Sequence, residues 1–323
     1  MSDLLANLNP EQLAAVTLPP QPALILAGAG SGKTRVLTTR IAWLLSTGQV
    51  SPSGILAVTF TNKAATEMRE RVIDMVPDGK GKKIVLGTFH AFCVKLLREH
   101  AERLGYKKNW VIYTQSEQIS LLKRIITRLM GKEESYDPAK AQSRISHAKN
   151  SGESLGDAKH STEAAIMEAY QNEMRALNAM DFDDLIILGV ELLEEHDEVR
   201  QAIRNRFTHT MVDEFQDTNW AQYELVKLLA GDDKNLTVVG DDDQAIYKFR
   251  GASLANILQF RDDFPEAKTV ALTENYRSRQ EILDTAYNFI KKNDPYRLEV
   301  KLAETGLSKA LTAARGDGGA VTT

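Results

Sequence analysis

The sequence predicts an α/β protein, in which a parallel sheet is covered by helices on both faces and is interrupted by an all-α accessory insertion. Two observations carry this prediction. Short β-branched or aliphatic runs alternate with longer helical patterns in two stretches of the chain, and such alternation favours right-handed crossovers between parallel strands. From residue 91 to about residue 206, helix signals are frequent and no strand signal of comparable strength occurs.

Six short apolar runs are the expected strands of the sheet. They cover residues 23–27, 55–59, 84–86, 210–212, 236–240 and 269–272. Ligands of open α/β sheets bind outside the carboxyl ends of the strands, so we expect the chemistry of this protein at those ends.

Capping signals place helix starts within the expected insertion. Thr114 and Glu117 form a capping box before the periodic residues 119–130, and Asp137 precedes Pro138, a residue favoured at the first helical position. Polar residues with glycine over 150–156 predict a loop. The stretch 91–206 is therefore expected to form a helical accessory domain.

Length and composition set broad limits on the protein. The 323 residues predict about two domains, and 26% charged residues are typical of a globular protein in water. The net charge of −4 creates no global basic field, so a nucleic-acid site would have to be a local patch. Cys93 is the single cysteine, which excludes an intrachain disulfide, and we expect it to be buried. Neither a signal peptide nor a membrane-spanning run is recognised, so a cytoplasmic protein is expected.

The most specific pattern is a glycine-rich segment directly after the first apolar run. It consists of Gly28, Ala29, Gly30, Ser31, Gly32, Lys33 and Thr34. A strand that ends in glycines and then begins a helix lets backbone N–H groups converge on phosphate oxygens. Lys33 supplies a mobile cation, and Thr34 is placed for Mg²⁺. The segment therefore predicts a site for a nucleoside triphosphate.

An acidic pair ends the fourth apolar run. Asp213 could hold Mg²⁺, and Glu214 could orient and deprotonate an attacking water. The alternative is a pair of solvated surface acids. Combined with Lys33 and Thr34, the two acids are typical of a Walker A and B pair.

Further segments distinguish the chain from a generic P-loop protein. They cover residues 8–12, 58–65, 87–90, 213–218, 239–252 and 275–278. In this order they closely resemble the UvrD/Rep family of superfamily 1 DNA helicases, from about Leu8 to Arg279 and including residues 181–185. The resemblance implies a RecA-like P-loop motor domain over 1–90 and 207–280, the helical accessory domain over 91–206, and the truncated start of a second motor domain over 281–323.

The resemblance also implies roles around ATP. Gln12 would recognise the adenine edge, and Arg35 and Tyr276 would sandwich the ring, since an amide pairs with adenine and a guanidinium or phenol stacks on it.

Other residues would act on the phosphates. Lys33 would contact the β- and γ-phosphates, and Thr34 with Asp213 would hold Mg²⁺. Glu214 would act as the base, Gln244 would sense the γ-phosphate, and Arg277 would stabilise charge on the transferring phosphoryl group.

The resemblance places single-stranded DNA on neighbouring loops. The corresponding residues are Phe60, Thr88, His90, Tyr247, Phe249 and Arg250. Aromatic rings stack on unpaired bases for about 1–3 kcal/mol each, regardless of base sequence. We therefore expect binding to single strands without sequence preference.

The function implied is that of an ATP-dependent 3′–5′ DNA helicase or translocase, of which this chain would hold the N-terminal half. Too few residues follow Arg277 for the family's second motor domain. Expected partners are single-stranded DNA, junctions with duplex DNA, and loading proteins of DNA repair or replication, with no membrane. Two alternatives remain: a module that binds ATP and single strands without turnover, and a P-loop enzyme of other phosphoryl chemistry, such as a small-molecule kinase.

Overall fold

The computed structural model describes residues 2–76, 79–131, 136–152, 162–231, 235–245, 254–303 and 306–319. Its strands are β1 (Ala23–Ala27), β2 (Ile55–Thr59), β3 (Val85–Thr88), β4 (Val111–Ile112), β5 (Ala179–Met180), β6 (His209–Val212), β7 (Leu236–Gly240), β8 (Lys268–Leu272), β9 (Glu274–Asn275) and β10 (Thr312–Ala313).

The helices surround these strands. They are α1 (Ser2–Leu5), α2 (Pro10–Thr17), α3 (Lys33–Ser46), α4 (Asn62–Met75), α5 (Phe89–His100), α6 (Gln115–Met130), α7 (Pro138–Ser151), α8 (Thr162–Ala176), α9 (Phe182–Glu195), α10 (Asp197–Arg206), α11 (Trp220–Leu229), α12 (Leu254–Asp263), α13 (Gln280–Ile290) and α14 (Leu298–Lys301).

The main sheet confirms the predicted α/β fold. Within the described residues it contains six strands in the order β3-β2-β6-β7-β1-β8, and every neighbouring pair is parallel. All six predicted runs form these strands, three of them with the predicted bounds. The inner strands β1, β2, β6 and β7 are buried along their whole length because helices cover both faces.

Alternate residues of β1 show how the sheet separates two apolar cores. Leu24 and Leu26 belong to a core with apolar residues of α5, α9 and α11, whereas Ile25 and Ala27 belong to a core with α3 and α4. Side chains of a strand point alternately to opposite faces, so one short run serves both cores. Cys93 of α5 is buried in the first core, as predicted.

The stretch 91–206 contains helices in two different environments. Helices α6, α7 and α8 enclose a separate apolar core, which includes Leu122 and Tyr170. Helices α5 and α9 instead pack against the main sheet. A short parallel pair, β4 and β5, also lies in this stretch. The division of the chain at residues 91 and 206 remains a prediction.

The predicted capping signals within this stretch are confirmed. Thr114 Oγ1 accepts a hydrogen bond from Glu117 N, and Glu117 Oε2 accepts one from Thr114 N at 2.7 Å. Asp137 caps α7 through Ala139 N at 2.9 Å. Helix α7 continues to Ser151, so it covers the start of the predicted 150–156 loop, and residues 153–156 lie outside the described residues.

A buried arginine connects the first helices to the sheet. Arg40 of α3 is 1% exposed and donates hydrogen bonds to the carbonyl oxygens of Val16 at 3.0 Å and Leu18 at 2.7 Å, and to Thr237 Oγ1 at 3.2 Å. Burial lowers the pKa of Arg40 to about 10. These bonds hold the end of α2 against α3 and β7, and thereby set where the start of α2 lies.

None of the described helices combines the length and apolarity that crossing a lipid bilayer requires.

Candidate functional site

The glycine-rich segment forms a tight turn between β1 and α3. Gly30 has φ +79° and Gly32 has φ +95°, a region that side chains disfavour. Ser31 Oγ donates a hydrogen bond to the carbonyl oxygen of Gly28 at 2.7 Å, which closes the turn. A Cβ at Gly30 would lie 2.6 Å from Cβ of Arg277. The turn therefore needs glycine both for its backbone angles and for the approach of Arg277.

The segment around β9 holds this turn from outside. Asn275 Nδ2 donates to the carbonyl oxygen of Ala29, and Tyr276 N donates to that of Gly30 at 2.9 Å. Asn275 Oδ1 accepts from the backbone N–H groups of Arg277 at 2.9 Å and Ser278 at 2.7 Å. Asn275 was not among the predicted site residues, yet this buried amide connects the predicted Arg277 to the phosphate loop.

The predicted adenine residues lie near the start of α2. Gln12 is fully buried, donates from Nε2 to the carbonyl oxygen of Ser31 at 2.9 Å, and accepts from Asn9 N at 3.3 Å. Asn9 Nδ2 in turn donates to the hydroxyl of Tyr276 at 2.9 Å. Arg35 is exposed. The structure brings Gln12 to the loop and Tyr276 to Asn9, while both ends of the Gln12 amide are bonded within the chain.

Three predicted phosphate residues meet at the ends of different strands. Lys33 Nζ lies 2.7 Å from Glu214 Oε2 and 3.4 Å from Gln244 Oε1. Glu214 has φ +50°, a left-handed conformation that costs about 1–3 kcal/mol for a residue with a side chain and occurs preferentially at functional sites. The ion pair is partly buried, so the lysine and the glutamate neutralise each other.

A glutamine outside the predicted set connects the two acidic strand ends. Gln216 Nε2 donates to Glu214 Oε2 at 2.8 Å, and its Oε1 accepts from Asp241 N at 2.9 Å. Gln216 is 1% exposed. Gln216 lies two residues after Glu214, within the motif segment 213–218. Its contact with Asp241 was not predictable from that segment, because Asp241 follows a different strand, β7.

Asp213 has the features of a cation ligand. Asp213 is 3% exposed, and its Oδ1 has no hydrogen-bond partner among the described residues. Burial, and then the charge of Glu214, raise the pKa of Asp213 to about 6. A buried acceptor without a partner costs free energy unless a ligand satisfies it, and Mg²⁺ prefers carboxylate oxygens. Asp213 therefore fits Mg²⁺, and Thr34 in the first turn of α3 is the second predicted ligand.

Three of the six predicted DNA residues, Phe60, Thr88 and His90, lie at or just after the carboxyl ends of β2 and β3. Phe60 is half-buried directly after β2, and Thr88 caps α5 by accepting from Ala91 N at 3.2 Å. Tyr247, Phe249 and Arg250 lie outside the described residues.

His90 forms a stack that was not predicted. Its ring lies 4.0 Å from that of Phe182, with an interplanar angle of 24°, and Phe182 is 56% exposed. Burial lowers the pKa of His90 to about 4, so the ring is neutral at pH 7. The pair therefore presents an aromatic surface without positive charge. Phe182 lies within residues 181–185, a segment included in the family resemblance, and that resemblance is the sequence signal that could have identified it.

Comparison with known proteins agrees with this geometry. Residues 8–265 match the family of the UvrD/REP helicase N-terminal domain. The chain belongs to the UvrD/Rep helicase family. The similar curated proteins include the ATP-dependent DNA helicase PcrA of Staphylococcus aureus (strain Mu50) at 46% identity and that of Staphylococcus epidermidis (strain ATCC 12228) at 45%, each over 300 residues. The alignments cover 91% of this chain and 41% of each relative, so the chain spans less than half of their length.

The UvrD/Rep family match covers every element of the candidate site up to Gln244. The relatives' alignments extend over 300 of the 323 residues. The family resemblance inferred from the ordered motifs is thus confirmed, as is the α/β fold that it implied. The roles of individual residues in the UvrD/Rep site remain predictions.

Proposed function

We propose that the chain is the N-terminal motor half of an ATP-dependent 3′–5′ DNA helicase, with ATP and Mg²⁺ bound at the phosphate loop and single-stranded DNA bound across the ends of β2 and β3. The convergence of Lys33, Glu214 and Gln244 from three separate segments carries this proposal. The alternative of a P-loop enzyme with other phosphoryl chemistry, such as a small-molecule kinase, is not supported, because the matching family consists of helicases.

The phosphate loop supplies the binding energy for the triphosphate in this proposal. Backbone N–H groups of the turn and the N-terminus of α3 face phosphate oxygens, because a helix N-terminus attracts anions. Lys33 must leave Glu214 to reach the phosphates, and its departure frees the Glu214 carboxylate. Glu214 then accepts a proton from the attacking water. The ion pair therefore keeps the base occupied until a ligand draws Lys33 away.

The remaining residues complete the polar surroundings of the γ-phosphate. Asp213 and Thr34 would hold Mg²⁺, which neutralises developing negative charge when bound. Gln244 would donate to the γ-phosphate the Nε2 hydrogen that Asp241 does not accept, and Arg277 would add positive charge. The position of Arg277 beside Gly30 supports its assignment.

The stacked rings of His90 and Phe182 support single-strand binding. A neutral aromatic surface stacks on any base, so it provides affinity without sequence preference. The N-cap hydroxyl of Thr88 and the start of α5 lie beside it and can face a backbone phosphate. Junctions with duplex DNA, loading proteins of repair or replication, and a cytoplasmic location belong to the same proposal.

Motion along DNA needs two lobes that open and close during each ATP cycle. We therefore propose that this lobe binds both ligands and that a second motor domain is required for unwinding. The non-catalytic alternative is this same lobe acting alone, and ATP turnover by the isolated chain separates the two.

The test measures ATP binding and ATP turnover with and without oligo-dT. Lys33→Ala should abolish binding of a fluorescent ATP analogue, whereas Glu214→Gln should preserve binding and remove any oligo-dT-stimulated turnover. Lys123→Ala is the matched control, because Lys123 is exposed on α6 and lies outside the motif segments. Normal ATP binding by Lys33→Ala would refute the nucleotide site. Stimulation of the unmodified chain by oligo-dT would exclude the non-catalytic alternative.

The DNA surface is tested separately through Phe182. Phe182→Ala should weaken oligo-dT binding by about 1–3 kcal/mol, the value of one stacked base, without changing ADP binding. Phe182→Leu keeps apolar bulk but lacks a flat ring, so it should show most of the loss. Wild-type affinity in both variants would place the strand elsewhere.

A further inference from the structure

An acidic cluster follows β7 and is neutralised by the C-terminal part of the described chain. Lys309 Nζ lies 2.6 Å from Asp241 Oδ1 and 2.8 Å from Asp243 Oδ2, and it also bonds Asp242. The Lys309 side chain is 5% exposed. Arg297 forms a two-point ion pair with Asp243, with both N–O distances at 2.9 Å.

The cluster is connected directly to the nucleotide site. The second oxygen of Asp241, Oδ2, accepts a hydrogen bond from Gln244 Nε2 at 2.6 Å. The other end of that amide, Oε1, faces Lys33 Nζ at 3.4 Å. A continuous polar chain thus runs from Lys309 through Asp241 and Gln244 to Lys33. Asp241 takes one hydrogen of Gln244 Nε2, and the second hydrogen has no partner among the described residues, so it can be donated to a phosphate oxygen.

We propose that Lys309 is a positioning residue for Gln244, and that it sets the preference of this site for a triphosphate over a diphosphate. The inference rests on the proposed function, in which Gln244 senses the γ-phosphate. Lys309 touches neither the nucleotide nor the reacting atoms, and acts through Asp241.

The charge balance of the cluster explains why the triphosphate is affected selectively. Without Lys309, three neighbouring carboxylates retain only Arg297, which among the described residues pairs with Asp243 and not with Asp241. Like charges close together in a poorly solvated site repel strongly. This repulsion would displace Asp241, whose Oδ2 orients the Gln244 amide, and Gln244 acts on the γ-phosphate that ADP lacks. Loss of Lys309 should therefore weaken ATP and spare ADP.

The experiment compares dissociation constants of fluorescent ATP and ADP analogues, with Mg²⁺, for the full chain. Lys309→Met should lower the ATP-over-ADP preference by roughly 10-fold, a typical coupling between sites, and leave ADP affinity unchanged. Lys309→Arg keeps the charge and should recover most of the preference. Lys301→Met is the matched control on the same segment, because Lys301 is exposed, and it should match the wild type.

A second pair of variants guards against loss of folding. Asp241→Ala leaves Lys309 paired with Asp242 and Asp243 but removes the acceptor of Gln244 Nε2, so it should lower the ATP preference as well. In a Gln244→Ala background, Lys309→Met should cause no further change in the ratio. Unchanged ratios in folded Lys309→Met or Asp241→Ala would overturn the inference. Absence of ATP binding by the wild type would instead refute the proposed function.

Discussion

Replacing Asp213 by asparagine should stabilise the ligand-free protein at neutral pH. The Asp213 pKa rises from its ordinary value of 3.8 to about 6 in the folded chain, because burial and the charge of Glu214 disfavour the carboxylate. A raised carboxyl pKa means that the folded state binds the proton more tightly than the unfolded state. Stability from this group is therefore greatest below about pH 4 and falls as the pH rises to about 6. The side-chain amide of the Asp213→Asn variant does not ionise in this pH range, so it contributes no such dependence of stability on pH.

The size of the effect follows from the two pKa values. The gap between 3.8 and about 6 corresponds to about 3 kcal/mol, because each pKa unit is worth about 1.36 kcal/mol at 25 °C. The asparagine amide introduces an N–H group near the position of Oδ1, an atom that has no hydrogen-bond partner among the described residues. An unsatisfied buried donor costs about 1–3 kcal/mol. The variant should thus gain about 1 kcal/mol at pH 7.5 and lose a similar amount or more at about pH 4.

Urea unfolding followed by circular dichroism measures this difference at intervals of about one pH unit between about pH 4 and 7.5. The informative quantity is the change in the variant-minus-wild-type difference across that range, because titrating groups far from Asp213 cancel in it. Mg²⁺ at millimolar concentration should stabilise the wild type and not the variant if Asp213 is a ligand. A difference that stays flat with pH would refute the assigned pKa. Equal Mg²⁺ stabilisation of both proteins would refute the cation site.

Three further substitutions test the supports of the site by chemical unfolding and ADP binding. Gly30→Ala would place a Cβ 2.6 Å from the Cβ of Arg277 at a backbone φ of +79°, so it should remove ADP binding. Gly48→Ala is the control, because Gly48 has φ +70° with open space around it and should lose only about 1 kcal/mol through backbone strain. Equal effects of the two substitutions would contradict the steric argument. Lys149→Met removes the lysine that bonds the carboxylates of Asp181 and Asp184 at 2.7 and 2.6 Å, and should destabilise the protein by about 3–5 kcal/mol. Lys140→Met, at an exposed position, should cause no change. A loss below about 1 kcal/mol for Lys149→Met would contradict the importance of these ion pairs. Arg40→Met should lower the free energy of unfolding by about 2–3 kcal/mol. Arg40→Lys should not restore this stability, because one ammonium cannot reach both Leu18 at the end of α2 and Thr237 of β7. Full recovery in Arg40→Lys would contradict this reasoning.

The strand runs were predictable because their signal is local. Residues 23–27, 55–59 and 236–240 form strands with the predicted bounds, since a fully buried parallel strand is apolar throughout and is followed by a turn. The third strand begins and ends later than the predicted 84–86, at Val85–Thr88, because Gly87 and Thr88 are extended by pairing with β2 and not by their own propensity. Capping boxes were equally predictable, since both partners lie within one turn.

The environment of the insertion was less accessible to sequence reasoning. Helices α5 and α9 flank a stretch that has only helix signals, yet they pack on the main sheet, while α6, α7 and α8 form their own core. Amphipathic periodicity shows that a helix has a buried face and does not show which surface covers it. Only the tertiary contacts separate the two groups of helices.

The sequence by itself determined the chemistry available to this protein: a glycine turn with Lys33, an acidic strand end with Asp213 and Glu214, and the ordered motifs of one helicase family. Tertiary structure decided how those groups engage each other. It buried the Gln12 amide, paired Lys33 with Glu214, and brought Lys309 to Asp241 from 68 residues away. Covalent spacing specifies residues within a turn or a helix, whereas hydrogen bonds and charge compensation between distant segments depend on how the sheet and its helices pack.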